Sequence, residues 1–277
     1  MNVEIGETIS KSIMAPFRDK DIFTLALTYA IISLIITAIL VLTGISSPSS
    51  ASPFSTLLSN TATTQQPNIS AAKITWSVLS SIVMLLISIA ITTAIIIKAH
   101  YGEKYGISKA LGLMKSRYFT VLAVDILIFL IVFIPLLLMF LLIGALSIAS
   151  SSSFASLAIF FVIALILVVV YLFFVGIRFA IAVPFAVINN SGPINSLKSS
   201  WNSMKGNMWG VFAIALVIGI VMFVIELIFD VPILLTSNPM FAVIPSAISS
   251  FLSSWYAVAM ALIYGQLKST KRHRDKN

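Results

Sequence analysis

The stretch KAHYGEKYGISKALGLMKSRY, residues 98–118, decides how this chain is read. It carries Lys98, Lys104, Lys109, Lys115 and Arg117 against one carboxylate, Glu103, and an apolar run lies on either side of it. Three more segments, 1–21, 189–209 and 268–277, have the same basic character. Together the four hold fifteen of the seventeen lysines and arginines. The alternate hydrophilic stretches, 45–73, 144–155 and 230–245, hold only Lys73 and Asp230 as charged residues. Basic residues that return after every second apolar run mark a chain threaded repeatedly through a membrane with its basic loops inside.

Six runs, near 22–44, 74–97, 119–143, 156–188, 210–229 and 246–267, are long enough for a hydrocarbon core that needs about 20 residues per crossing. The chain is 59% hydrophobic and 9% charged, far from the roughly one-quarter charged residues of a soluble domain. The expected fold class is an all-α integral membrane protein with both termini in the cytosol. Its six transmembrane helices form three hairpins, each preceded by a cytosolic amphipathic interfacial helix. A single polytopic domain, 1–277, is expected, with units near 1–97, 98–188 and 189–267 and a basic tail, 268–277. Glu4, Glu7, Asp19 and Asp21 interrupt the N-terminal segment, so a cleavable leader is not expected and the first span acts as its own insertion signal.

The interfacial helices rest on periodicity. Ile194, Leu197, Trp201, Met204 and Met208 recur at steps of three and four, with Lys198 and Lys205 among the polar positions. Ile107, Leu111, Met114 and Tyr118 do the same beside Lys109 and Lys115. A weaker copy sets Ile5, Ile9 and Ile13 against Glu4, Glu7 and Lys11, ended by Pro16. Helices of this pattern lie in the interface, so Ile107, Met114, Trp201 and Met204 are expected to anchor in lipid and Lys109, Lys115, Lys198 and Lys205 to meet anionic headgroups. Met114–Phe119 aligns with Met204–Trp209, and each runs into a span. Internal repeats of this kind build transport folds, and equally enlarge any helical bundle.

Arg178–Ile188 followed by Gly192, Ser196–Trp201 and Lys205–Phe212 resembles the membrane domain of glycerophosphoryl diester phosphodiesterases and related six-span bacterial and archaeal proteins. The shared pattern is a span ending near a proline, a Leu-Lys-x-Ser-Trp surface helix and Lys-Gly-Asn-x-Trp entering the next span. The resemblance implies the fold and a non-catalytic membrane domain, since the catalytic barrel of those enzymes has no counterpart here.

Charges inside spans are costly and are the first candidates for function. Asp125 in the third span and Arg178 in the fourth are expected at similar depth, as a neutralising pair or a substrate site, with snorkelling of Arg178 as the plainer account. Glu226 and Asp230 are one turn apart on one face at the outer end of the fifth span, where paired carboxylates bind a cation or simply reach water. Ser246, Ser250 and Ser254, continued by Ala257, Ala261 and Gly265, form a small-residue stripe suited to close helix packing. Pro135 should kink the third span, and Val231–Pro245 should lie in the outer interface or dip into the bundle.

No cysteine is present, and the two histidines, His100 and His273, do not form a ligand pair. No phosphate loop or nucleophile elbow occurs. Neither an enzyme nor a cofactor or metal is expected. The expected partners are membrane lipids with anionic headgroups on the cytosolic face, a membrane-protein partner or a homo-oligomer; nucleic acid is not expected. The location is the plasma membrane, with Asn68-Ile69-Ser70 an external glycan acceptor. The near absence of external charge suits an acidic exterior such as that of an archaeon. Two functions are left open: an organising component acting on lipid or a partner complex, or a transporter or channel for a small or hydrophobic solute using the Asp125–Arg178 region.

Overall fold

The computed structural model describes residues 4–43, 71–149, 154–236 and 243–274. Asn68 and most of 45–73 lie outside them, as do 150–153 and 237–242 of the two later hydrophilic stretches. Among the described residues every regular element is helical. In chain order they are α1 (Ile5–Arg18), α2 (Lys20–Leu42), α3 (Ala71–Tyr101), a short 3-10 turn (Gly102–Lys104), α4 (Ile107–Ala149), α5 (Phe154–Phe179), α6 (Ala182–Ile188), α7 (Pro193–Ser203), α8 (Met208–Thr236) and α9 (Val243–Arg274). Six helices are long and apolar enough to cross a membrane, as in a multi-pass membrane protein, and the six expected runs fall on them.

The centre of the bundle is α9. Half of its most apolar window is buried, against a third or less for the other five. It packs on α2, α3, α1 and α8. Ser250, Ser254, Ala257 and Ala261 are buried, and Gly265 and Ser246 partly so. Ser33 of α2 donates to the Ser246 carbonyl, 3.1 Å away. Small side chains bring helix backbones close enough for dispersion contacts, which drive association where lipid competes equally for apolar surface. The stripe read from the sequence is thus an internal packing face. Two clusters form on α9: Val211, Ile214 and Ile218 of α8 with Leu252 and Trp255, and Ile22 and Leu25 of α2 with Ile95 and Val258. A third joins α3, α4, α6 and α7 around Ile97, Val121, Ala186 and Leu197.

The helix limits correct several expectations. Residues 107–118 are not a separate surface helix: α4 runs unbroken for 43 residues, about 65 Å at 1.5 Å per residue. In the aligned segment of α7–α8 the helix does break, at residues 204–207, where Gly206 has φ +85°. The matching position in α4 is Ser116, which has no such freedom and stays helical with its Oγ donating to the Leu113 carbonyl. Pro16 does not end α1, which continues to Arg18. Residues 231–236 extend α8 and 243–245 begin α9, so that stretch is not one interfacial segment.

The fourth span is interrupted after Phe179, and α6 restarts at Ala182. Pro184 explains the break. It has no N–H for the Ala180 carbonyl four residues earlier, and its ring crowds that carbonyl. Pro135, by contrast, lies within continuous α4.

Candidate functional site

The polar chemistry gathers at the end of the bundle where the basic segments lie. It starts with one residue, Asp19, the only residue between α1 and α2. Its backbone is extended (φ −101°, ψ 108°), which turns the chain sharply. Its carboxylate accepts from the N–H groups of Asp21 (2.9 Å) and Ile22 (3.3 Å), capping α2. The N-cap signal, an aspartate just before an apolar run, was legible in the sequence, although the aspartates there read only as interruptions.

Lys98, at the end of α3, completes the corner. It is 3% exposed, and its Nζ lies 2.7 Å from Asp21 and 3.4 Å from Asp19. It also donates to the Tyr105 carbonyl at 3.1 Å. Three N–H donors therefore meet three acceptors, the condition under which an ammonium group is retained in a protein interior. Gly102, with φ +60°, supplies the left-handed residue that ends α3 and turns the chain back toward Tyr105.

Over this corner α1 is clamped to α9. Thr8, Ser12 and Pro16 are its buried line, with Ile9 and Ile13 partly buried beside it and Ile5 exposed. Gln266 of α9 donates to Thr8 Oγ1 at 3.1 Å and accepts from the Glu4 N–H at 3.3 Å. Glu7 is ion-paired with Lys11. A hydrogen bond shared with Glu7, together with the like charge, raises the Glu4 carboxyl above its ordinary value; the same bond and Lys11 lower Glu7.

Between α1, the start of α2, the end of α3 and α9 lies a cavity of about 580 Å³. Its ionisable lining is Lys11, Arg18, Lys20 and Lys98 with Asp19, Asp21 and Glu103; Met14, Ile22, Val258 and Leu262 supply apolar wall. A second cavity of about 360 Å³ shares Lys11, Ala99 and Leu262 with it and continues along α1 past His100 to Gln266. Beside it, the Tyr264 hydroxyl donates to Asn189 Oδ1 at 2.6 Å and Lys268 donates to the same oxygen at 2.8 Å, holding the α6–α7 turn to α9. His100 meets the Tyr264 ring edge-on.

The expected Asp125–Arg178 pair is not formed. Among the described residues, the ion pairs are Lys11–Glu7, Lys98–Asp19 and Lys98–Asp21. Arg178 turns to α7 instead. Its Nη1 donates to the Trp201 carbonyl (3.2 Å), and its guanidinium lies 4.8 Å from the Trp201 ring and 4.9 Å from that of Phe174. A cation placed on the last turn of a helix satisfies free carbonyls and complements the helix dipole. Asp125 is partly buried on α4 and has no ion pair among the described residues. Neither residue lines the two cavities above. Glu226 and Asp230 are both partly buried, one turn apart, and take no cation partner among the described residues.

The interfacial anchors also differ from expectation. Met204 is fully buried in the α8–α9 cluster, and Ile107 and Met114 pack on the bundle, so these three are docking residues of the protein itself. The reason is that these positions of the stripe face the bundle's own helices, while Leu111 and Ile194 of the same stripes stay exposed. Trp201 is partly buried under Arg178. Lys109, Lys115, Lys198 and Lys205 are exposed as expected. Phe119 (79%) and Trp209 (74%) are exposed aromatic groups at matching positions of the aligned segments. No group of three or more metal-ligating side chains occurs among the described residues.

A family model described as "Domain of unknown function (DUF7847)" matches residues 25–267. No curated protein and no solved structure matches the chain.

Proposed function

The chain belongs to that family, and from that premise we propose that it is a non-catalytic component of the plasma membrane that organises lipid, or a membrane partner complex, through its basic face. The basic face lies in the cytosol with both termini, as the distribution of lysine and arginine requires. In this reading the chain is three units, each a basic segment followed by a hairpin, similar to the membrane domain of glycerophosphoryl diester phosphodiesterases, and an archaeal source suits its nearly uncharged outer stretches.

One observation carries the reading. Segments 98–118 and 189–209 dock on the bundle through Ile107, Met114, Leu197 and Met204 and leave their lysines, Lys109, Lys115, Lys198 and Lys205, exposed, as are Phe119 and Trp209 in the same aligned stretches. Lysines at headgroup level attract anionic lipid, each by about 1 kcal/mol, and aromatic rings at that level hold the protein's depth.

The test is lipid retention. The protein is extracted from vesicles of phosphatidylcholine with phosphatidylglycerol, and its bound lipids are counted by mass spectrometry. Enrichment of phosphatidylglycerol that falls when the four lysines are changed to glutamine is the expected result. Retained lipid with the composition of the vesicle would refute the reading.

A second reading, a transporter or channel, is favoured by Asp125, a partly buried carboxylate within a span and without an ion pair among the described residues. Its test is solute or proton flux into vesicles, abolished by Asp125→Asn.

A further inference from the structure

We propose that the halves of the third and fourth spans farther from the basic segments form an arm that pivots on α4 at Pro135 and is latched by the hydroxyl of Tyr171. The inference goes beyond both readings above, and none of the residues that carry them takes part in it. Pro135 has no N–H to give the carbonyl of Ile131, four residues earlier, and its ring crowds that carbonyl. Tyr171 of α5 supplies the missing donor: its hydroxyl donates to the Ile131 carbonyl across the hairpin. A carbonyl released at membrane depth is satisfied by a partner of this kind on a neighbouring helix. At one level, then, α4 loses a backbone bond of its own and gains a side-chain bond to the next span. Loss of the backbone bond is what lets a helix bend at a proline.

Packing divides at the same level. On the side of the basic segments, α4 joins the cluster around Val121 and Val124 through Leu127, Ile128 and Ile131. There α5 joins the α8–α9 cluster through Phe173 and Ile177. Among the described residues, neither α4 after Ile131 nor α5 before Phe173 contributes to any of the three clusters. The fifth and sixth spans differ, since α8 keeps cluster contacts out to Ile225 and α9 out to Ile248. Between the two unclustered halves lies a cavity of about 460 Å³, its apolar lining including Phe133, Leu136, Phe140, Leu165 and Val168. Close packing resists displacement; these halves have open space between them and exposed residues such as Leu138, Leu141, Ile166 and Val169 on their flanks. The Tyr171–Ile131 bond stands beside the cavity, two residues from Phe133 on one helix and three from Val168 on the other. Breaking it leaves an acceptor without a donor, which is costly, so the latch fixes one position of the arm.

The experiment measures spin-label distances by pulsed electron paramagnetic resonance on the full chain in lipid nanodiscs. One pair reports the arm, Leu141→Cys on α4 with Ile228→Cys on α8. The other reports the clustered half, Lys115→Cys on α4 with Lys198→Cys on α7. All four positions are exposed, and the chain has no native cysteine. Tyr171→Phe is expected to raise the displaced fraction of the arm distances by about ten-fold and to leave the other pair as it is. Pro135→Ala returns a backbone donor to the Ile131 carbonyl, so in that background Tyr171→Phe should move the arm distances little. Unchanged arm distances in Tyr171→Phe would overturn the latch. An equal response to Tyr171→Phe in the Pro135→Ala background would overturn the pivot. Displacement of both pairs together would show a loosened bundle and overturn the arm.

Discussion

Ser200 Oγ donates a 2.8 Å hydrogen bond to the carbonyl of Arg178. The bond joins α7 to the point where the fourth span breaks. In an unbroken helix that carbonyl would accept from the N–H of residue 182; the interruption before Pro184 frees it. Ser200 is fully buried, so the hydroxyl replaces a backbone donor where water has little access. The guanidinium of the same arginine reaches back to the Trp201 carbonyl. Broken span and surface helix thus satisfy each other's free carbonyls, which is how irregular backbone is accommodated at membrane depth.

Ser200→Ala should therefore lower stability by about 1–3 kcal/mol, the cost of a buried acceptor left without a donor. The neighbouring Ser199→Ala, whose hydroxyl bonds no such freed carbonyl among the described residues, should change little. Unfolding midpoints of the two variants in the same detergent decide it, and equal midpoints would remove Ser200 from the account of the break.

Lys98→Met leaves the Asp19 and Asp21 carboxylates together at the corner without a cation. Removal of one partner of a buried pair costs about 3–5 kcal/mol. The aspartate side chains here are 26% and 32% exposed, so about 2–4 kcal/mol is expected. Asp19→Asn should be milder, because asparagine also caps a helix and one carboxylate still faces Lys98. The order of the two melting temperatures is the check; Asp19→Asn melting below Lys98→Met would contradict it.

Gly206→Ala places a side chain on a backbone with φ +85°. The space beside it is open, so the cost is conformational, about 1–2 kcal/mol. Gly112→Ala, at an equally open position inside α4, should have the opposite sign and stabilise by up to about 1 kcal/mol. Chemical unfolding of the pair should therefore bracket the parent protein.

The absence of cysteine in the chain makes the proposed orientation directly testable. Single cysteines are placed at Lys115, Lys198 and Thr61. In intact cells a membrane-impermeant maleimide should label only the Thr61→Cys protein, and after lysis all three. Labelling of Lys198→Cys in intact cells would invert the orientation.

Much of the architecture was legible in one dimension. The length and apolarity of a run decide whether it can cross hydrocarbon, and both are local properties, so all six spans could be placed before any packing was known. The stripe from Ser246 to Gly265 was legible for the same reason: helical spacing alone puts those residues on one line. Helix interruptions were less so. Pro16 and Pro135 sit within helices, whereas Pro184 follows a break, and the three differ only in what surrounds them. Gly206 against Ser116 was a signal in plain sight, since the two segments align and only one contains the residue that tolerates a left-handed turn.

The pairing of charges was not legible. Asp125 and Arg178 were the obvious partners by depth, yet Arg178 caps α7, and the buried cation among the described residues is Lys98, which as a sequence feature was one of five basic residues in its segment. By itself the sequence determined the spans, the segregation of basic residues and the small-residue face of α9, because composition and periodicity act along a single chain. Only the tertiary structure decided which carboxylate meets which cation, which surface segment stays helical, and which apolar stripe faces protein. In lipid, an apolar helix face gains nothing by merely leaving water, so the choice of neighbour falls to close packing and to buried polar contacts. Those depend on residues from distant parts of the chain arriving at the same place.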